Sequence, residues 1–351
     1  MNSTIKKITT ILAIGAMPVA ASAQDIHFSQ FYETTILRNP ALTGIFSGDY
    51  KLGASYRSQW NSISNPFQTA MVSAETRFGV NREINDFISV GLLAYYDKAG
   101  SIGMKSLSVY PAVNYNKSLE DNYNSFLSVG FTGGFIQRSF DASKVTTDNQ
   151  YQGNNFDVDN PTGENFNNPQ VNNFDLGAGV SFSSTTGTDS RRNLSYYIGV
   201  SGYHFTQPKT SFLNDNTVNL DMKWNVTGGM SMAIDENYNF QFHANYSNQG
   251  PYNEIIAGGL LGWGKKDIND EIGFGIFVGA FYRVINSDAL IPVCKIKFKD
   301  YTFGVSYDVN ISNVGALSNA RGGYEITAFK TGLFNDPERN KAKTICPHSF
   351  W

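Results

Sequence analysis

Beyond its first two dozen residues, this 351-residue chain has no apolar run long enough to cross a bilayer as a helix. Its mean hydropathy is −0.28, which excludes a helical membrane protein. Charge is scarce too. Asp, Glu, Lys and Arg make up 16% of the residues, whereas a water-facing surface carries about a quarter or more. The formal net charge is −3 and no basic stripe exists, which argues against nucleic acid as a partner. There are only two cysteines, Cys294 and Cys346, at no metal or redox spacing. They read as two separate thiols rather than a disulfide, although an oxidising compartment would allow one. No G-x-S-x-G, H-E-x-x-H, P-loop or C-x-x-C is found. The four histidines, His27, His204, His243 and His348, stand apart from any serine–aspartate arrangement. No catalytic residue, cofactor or metal site is assigned. The acidic stretch at residues 157–164, DVDNPTGE, resembles a calcium loop, but Gly163 falls one place late and no closing acid follows. It reads as part of a solvated loop.

What the chain does have is alternation. Residues 238–247 read YNFQFHANYS. Tyr238, Phe240, Phe242, Ala244 and Tyr246 fall on one side of an extended strand. Asn239, Gln241, His243, Asn245 and Ser247 fall on the other. The pattern recurs from Tyr50 to Phe329 in segments of roughly ten residues, the length a tilted strand needs to cross a bilayer. Arg57, Glu75 and Arg77 share the inward side, where water or counter-charges satisfy them. Aromatics are 14% of the chain. Tyr56, Phe78, Tyr96, Tyr115, Phe182, Tyr246, Trp263 and Tyr282 lie near strand ends, as interfacial girdles do. The expected fold is all-β: a transmembrane antiparallel barrel of about 14 strands, to within about two. On this reading Phe242→Arg, into lipid, is damaging, and Asn245→Arg, on the wet side, is mild.

Three pieces do not alternate. Residues 1–23 read as a secretory leader, with Lys6 and Lys7, an apolar run and the cleavage site Ala21-Ser22-Ala23. Residues 24–48 are aromatic, with turn chemistry at Asn39-Pro40 and Thr43-Gly44. They are expected to be either a plug folded into the lumen or a periplasmic arm. Residues 331–351 form a polar tail beyond the barrel at 49–330. The tail carries Arg339, Lys341 and Lys343, and it ends in Cys346, Pro347, His348, Ser349, Phe350 and Trp351. An even strand count places it in the periplasm.

Several stretches are distinctive: DIHFSQFY and NPALTG near the start, YRSQWNSISNPFQT at residues 56–69 and YHFTQPKTSF at 203–212. DALIPVCKIKF, YTFGVSYDVNIS, RGGYEITAF and the CPHSFW ending complete the set. They resemble the PorP/SprF family of outer-membrane proteins of the Bacteroidetes type IX secretion system. Ile26 departs from a frequent proline, and Cys294 from an apolar or small residue. The resemblance, and not the alternation, implies a non-enzymatic role in protein secretion. The implied partners are periplasmic ring proteins, a peptidoglycan-binding lipoprotein and a large surface adhesin of the gliding-motility kind. It also implies a cell outer-membrane location after leader cleavage, with lipid around the barrel. The partner-binding or plug candidates are His27, Phe28, Phe31, Tyr32, Asn39, Pro40, Cys346, Pro347, Phe350 and Trp351. The alternatives are a passive channel or hydrophobic-solute transporter, and an envelope lipase whose triad would involve His243.

Overall fold

The structure, a computed structural model, describes residues 25–59, 66–81, 85–121, 124–152, 155–164, 168–186, 193–212, 218–266, 272–284, 289–311 and 321–334. Its strands are β1 (Tyr50–Gln59), β2 (Phe67–Asn81), β3 (Asp86–Ala99), β4 (Met104–Ser118), β5 (Phe126–Ser139), β6 (Tyr151–Gln152), β7 (Asn155–Phe156), β8 (Gln170–Thr186), β9 (Leu194–Tyr203), β10 (Lys223–Ala233), β11 (Tyr238–Gln249), β12 (Tyr252–Lys266), β13 (Ile272–Arg283), β14 (Ala289–Phe298), β15 (Tyr301–Asn310) and β16 (Arg321–Gly332). β6 and β7 pair only with each other, within the loop at 140–169. The other 14 close into one antiparallel barrel, each pairing with its sequence neighbours and β1 with β16. No described helix is long and apolar enough to cross a membrane.

The period-two pattern sets the faces. Leu52, Val72, Phe131, Ile198, Val278 and Val305 point outward and are exposed, where lipid covers them. On β11, Tyr238, Phe242 and Tyr246 are exposed while Gln241, His243 and Asn245 are buried. The eight strand-end aromatics divide between the two rims. Phe78, Tyr115, Phe182 and Trp263 lie toward the rim where β1 begins, and Tyr56, Tyr96, Tyr246 and Tyr282 toward the opposite rim. Tyr56 and Tyr96 stand level, since both pair with Ala70. The β4–β5 register skips Tyr110 and Pro111, because proline has no N–H for the ladder.

The rims differ. Tyr50 pairs with Gly332, so the described barrel starts and finishes at one rim, which also holds the two-residue turn Lys299–Asp300. The opposite rim carries the long connections 140–169 and 204–222, which such barrels keep on the outer face.

One expectation holds only in part. The inward side is polar over most strands but not over all of them. Ile256, Leu260, Phe277, Phe281, Ile291 and Val293 all point inward and are buried in an apolar cluster with Phe31 and Tyr32. For the same reason the first half of β14 shows no oily-and-wet alternation: inward Ile291 and Val293 meet apolar material, and only from Lys295 is the inward side polar. Asn245 is 6% exposed, so Asn245→Arg must displace packed neighbours and is no mild change.

Candidate functional site

What fills the lumen is the chain itself. Residues 25–48 enter at the long-loop rim and wind to the rim where β1 begins. Three short helical pieces shape the path: a 3-10 turn at Phe31–Glu33, one α-helical turn, α1 (Thr35–Arg38), and a 3-10 turn at Pro40–Leu42. Backbone without strand pairing is tolerated at membrane depth only where protein or a watery cavity surrounds it. Here protein surrounds it. Ser29, Gln30, Tyr32, Asn39, Ala41 and Thr43 are all 0% exposed.

Two apolar anchors hold the segment. Tyr32 stacks between His243 and Phe281, with ring centroids 5.0 Å from each. Phe31 meets Phe281 edge-on at 5.6 Å. On the other side of the lumen, Phe28 and Ile36 pack with Met71, Leu93, Tyr95 and Tyr110.

Polar groups fix its direction. Glu33 lies 2.6 Å from Lys295 and 3.8 Å from Lys51. Arg38 donates to Tyr197 Oη at 2.7 Å, Thr227 Oγ1 at 2.8 Å and Tyr32 O at 3.2 Å. Asn39 donates to Val180 O at 3.1 Å, and its Oδ1 accepts from Ala41 N at 2.9 Å, capping the second 3-10 turn. Glu75 accepts from Thr35 Oγ1 at 2.7 Å and Gly44 N at 2.9 Å. The inward charges therefore find partners on the segment as well as on the wall. His27 Nε2 lies 3.3 Å from Arg57 Nη2.

The wall makes room with glycine. A Cβ on Gly130 would lie 2.3 Å from Pro40 C, and one on Gly179 would lie 2.1 Å from Asn39 Oδ1. The first obstacle is backbone and has nowhere to go. Gly130→Ala is expected to cost about 1–3 kcal/mol through overpacking. Gly79→Ala, with nothing within 4 Å of its Cβ, should be far milder. Unfolding from detergent or lipid compares the two, and equal losses would mean that the seat tolerates a methyl group.

The profile of type IX secretion system membrane protein PorP/SprF matches residues 20–329. The chain belongs to the PorP/SprF family. No curated protein is similar enough in sequence to match it. Solved structures with a similar shape include the Ralstonia pickettii toluene transporter TbuX, at 9% identity and TM-score 0.46, over 90% of this chain and 97% of that one. A Pseudomonas aeruginosa FadL homologue matches at 8% identity and TM-score 0.45, over 83% and 92%. KdgM porin matches at 8% identity and TM-score 0.34, over 80% and 98%. This PorP/SprF protein is a closed 14-strand antiparallel β-barrel of a type IX secretion system membrane protein family.

At the long-loop rim the PorP/SprF barrel holds the start of the segment in a charge cluster. His204 Nε2 is 2.9 Å from Asp25 Oδ2, and Nδ1 is 2.7 Å from Asp175 Oδ2. Lys223 lies 3.5 Å from Asp25, whose N–H donates to Gln249 Oε1 at 3.1 Å. Tyr110 Oη donates to Asp175 at 3.0 Å. Burial alone would lower His204, but the two carboxylates lift it to about 9. Burial pushes Asp25 up, yet His204 and Lys223 hold it well below the usual carboxylate range. Because His204 binds its proton more tightly folded than unfolded, its contribution is complete below about pH 6.5 and is lost as pH rises through about 9. The Asp25 contribution is complete above about pH 3.9 and is lost only in strong acid. Amides of residues 25–30 should therefore exchange hydrogen faster at pH 10 than at pH 7, after correction for the intrinsic rate. His204→Ala should abolish the difference; an identical difference in that variant would place the titration elsewhere.

Of the sequence candidates, His27, Phe28, Phe31, Tyr32, Asn39 and Pro40 all contact the inner wall or its side chains. Cys346, Pro347, Phe350 and Trp351 lie outside the described residues, as do the leader and most of the tail. Ser29, Gln30, Glu33 and Arg38 also hold the segment, yet they were not singled out in the sequence. Their signal is polar and charged residues interleaved with aromatics in a stretch without strand period. That pattern suits an exposed arm equally well.

Proposed function

We propose that this barrel is a non-enzymatic docking component of type IX secretion. It binds periplasmic ring proteins and a peptidoglycan-binding lipoprotein at one rim, and exports or anchors a large surface adhesin at the other. The observation that carries the reading is the occupied lumen. A passive channel or hydrophobic-solute transporter needs a wet or greasy path, whereas a docking barrel works through its rims. Beside the segment, the space lined by Ile36, Leu37, Leu93, Tyr95 and Tyr203 is only about 10 Å³, room for about one water. The rim at which β1 starts and β16 ends carries the docking contacts on this reading, together with the tail that follows Phe334. In that tail, Phe350 and Trp351 supply an apolar anchor, and aromatic anchors dominate many interfaces.

The test is to delete residues 343–351, confirm that the barrel inserts, and co-purify. Loss of a periplasmic lipoprotein or ring component, together with loss of surface adhesin, supports docking through the tail. Retained partners and normal display would move the contact to the turns of the same rim.

A further inference from the structure

β1 and β16 meet along a ladder from Tyr50↔Gly332 to Gln59↔Gly323. This seam is unlike every other in the barrel. Each remaining pair of strands is also joined by the loop between them, but the first and last strands are held only by non-covalent contacts, their ladder and side-chain pairs such as Arg57 with Glu325. On its lumen side, residues 29 and 30 bond to three strands at once.

Ser29 N donates to Glu325 Oε2 at 2.7 Å and Gln30 N to Glu325 Oε1 at 2.9 Å. One carboxylate on β16 thus holds two consecutive peptide groups. Ser29 Oγ donates to Asp308 Oδ1 on β15 at 2.5 Å and accepts from Arg57 Nη1 on β1 at 2.7 Å. Arg57 Nη2 donates to the other Asp308 oxygen at 2.7 Å, and Nη1 lies 3.5 Å from Glu325. Gln30 Nε2 donates to Ser306 Oγ on β15 at 3.3 Å, while its Oε1 accepts from Thr327 Oγ1 on β16 at 3.0 Å. A Cβ on Gly304 of β15 would sit 2.3 Å from that Oε1. None of Ser29, Gln30, Arg57, Ser306, Asp308, Glu325 and Thr327 is more than 4% exposed.

We propose that residues 29 and 30 are an internal clasp that ties the first strand to the last two and holds the barrel against opening between β1 and β16. Three charges, Arg57, Asp308 and Glu325, are buried at the seam, and the clasp supplies hydrogen bonds to all of them. Buried charges left short of partners are costly, so the seam is secure only with the segment in place. The contacts of Arg38 and Asn39 on β8, β9 and β10 lie where loops already join the strands, and they have no such role. This inference rests on the position of the segment and is independent of any secretion partner.

Hydrogen exchange on the full chain in detergent or lipid tests it. Ser29→Ala/Gln30→Ala keeps the two peptide N–H bonds to Glu325 but removes the side-chain bonds to Arg57, Asp308, Ser306 and Thr327; losing those to the charged pair should speed exchange of β1 and β16 amides by about tenfold. Amides of β3 and β4 should change less. Arg38→Ala removes lumen hydrogen bonds away from the seam and should leave β1 and β16 protected. A disulfide from Ala54→Cys/Ala328→Cys, directly paired across the seam, should restore protection to the clasp variant. Uniform loosening of the barrel, no loosening, or seam loosening of the same size in Arg38→Ala would each overturn the clasp. If the double variant does not assemble, assembly restored by the cross-seam disulfide supports the proposal, and assembly not restored overturns it.

Discussion

Deleting residues 25–40 is expected to turn a barrel that passes little ion current into one that conducts. The deletion removes Phe28, Phe31 and Tyr32 from the middle of the lumen, together with Glu33 and Arg38. The wall they leave is largely polar: Lys51, Glu75, Asn114, Asn225, Lys295 and Glu325 all point inward. Water solvates such a wall, as it does in open barrels. The two apolar patches, on β12–β14 and on β2–β5, leave polar stretches of wall between them to hold water. The deletion also removes the clasp, so it should be made with and without the Ala54–Ala328 disulfide. Single-barrel conductance in planar bilayers is the measurement, with a heat-dependent shift in gel mobility to show that the barrel is folded. A folded deletion barrel that conducts no better than the full chain would mean that the wall side chains collapse inward and close the lumen unaided.

Phe131→Arg should cost about 2–4 kcal/mol of folding free energy in lipid. Phe131 sits midway along β5, is 62% exposed, and pairs on either side with the outward-facing Val113 and Ala178. At that depth an arginine must snorkel or thin the bilayer. Phe78→Arg, near the end of β2 in an aromatic girdle, should cost only about 0–1 kcal/mol. Denaturant titration of refolding into lipid vesicles compares them. Equal costs would mean that the two residues lie at similar depth and that the strands are tilted or shifted from their reading here.

The outward faces were legible because lipid imposes one rule on them. Every second residue from Tyr50 to Phe329 answers to the same apolar surroundings, so the period of the pleat shows through. The strand number follows from counting those periods. The inward faces obey no such rule. Gln241 and Asn245 on β11 conform to a wet lumen, whereas Phe277 and Phe281 on β13 do not, because each inward residue answers to whichever part of the segment lies opposite it. Pro40 facing Gly130 shows the same thing. The glycine on β5 gives no hint in its own neighbourhood that a backbone more than eighty positions away in the chain will press against it.

By itself the sequence determined the barrel character, the faces of the strands, the aromatic rims and the family, since all of these rest on local period or on linear motifs. It left residues 24–48 divided between a plug and an arm. Composition cannot separate the two, because aromatics with interspersed charges suit a packed lumen and an exposed binding arm alike. Only the tertiary structure placed residues 25–48 inside, joined Ser29 and Gln30 to strands nearly three hundred residues away, and made Glu325 the acceptor of their peptide groups. Those contacts come into being when the ladder closes on itself. Closure sets β1 beside β16 and encloses the lumen at the same moment, and no stretch of chain shorter than the whole barrel carries that information.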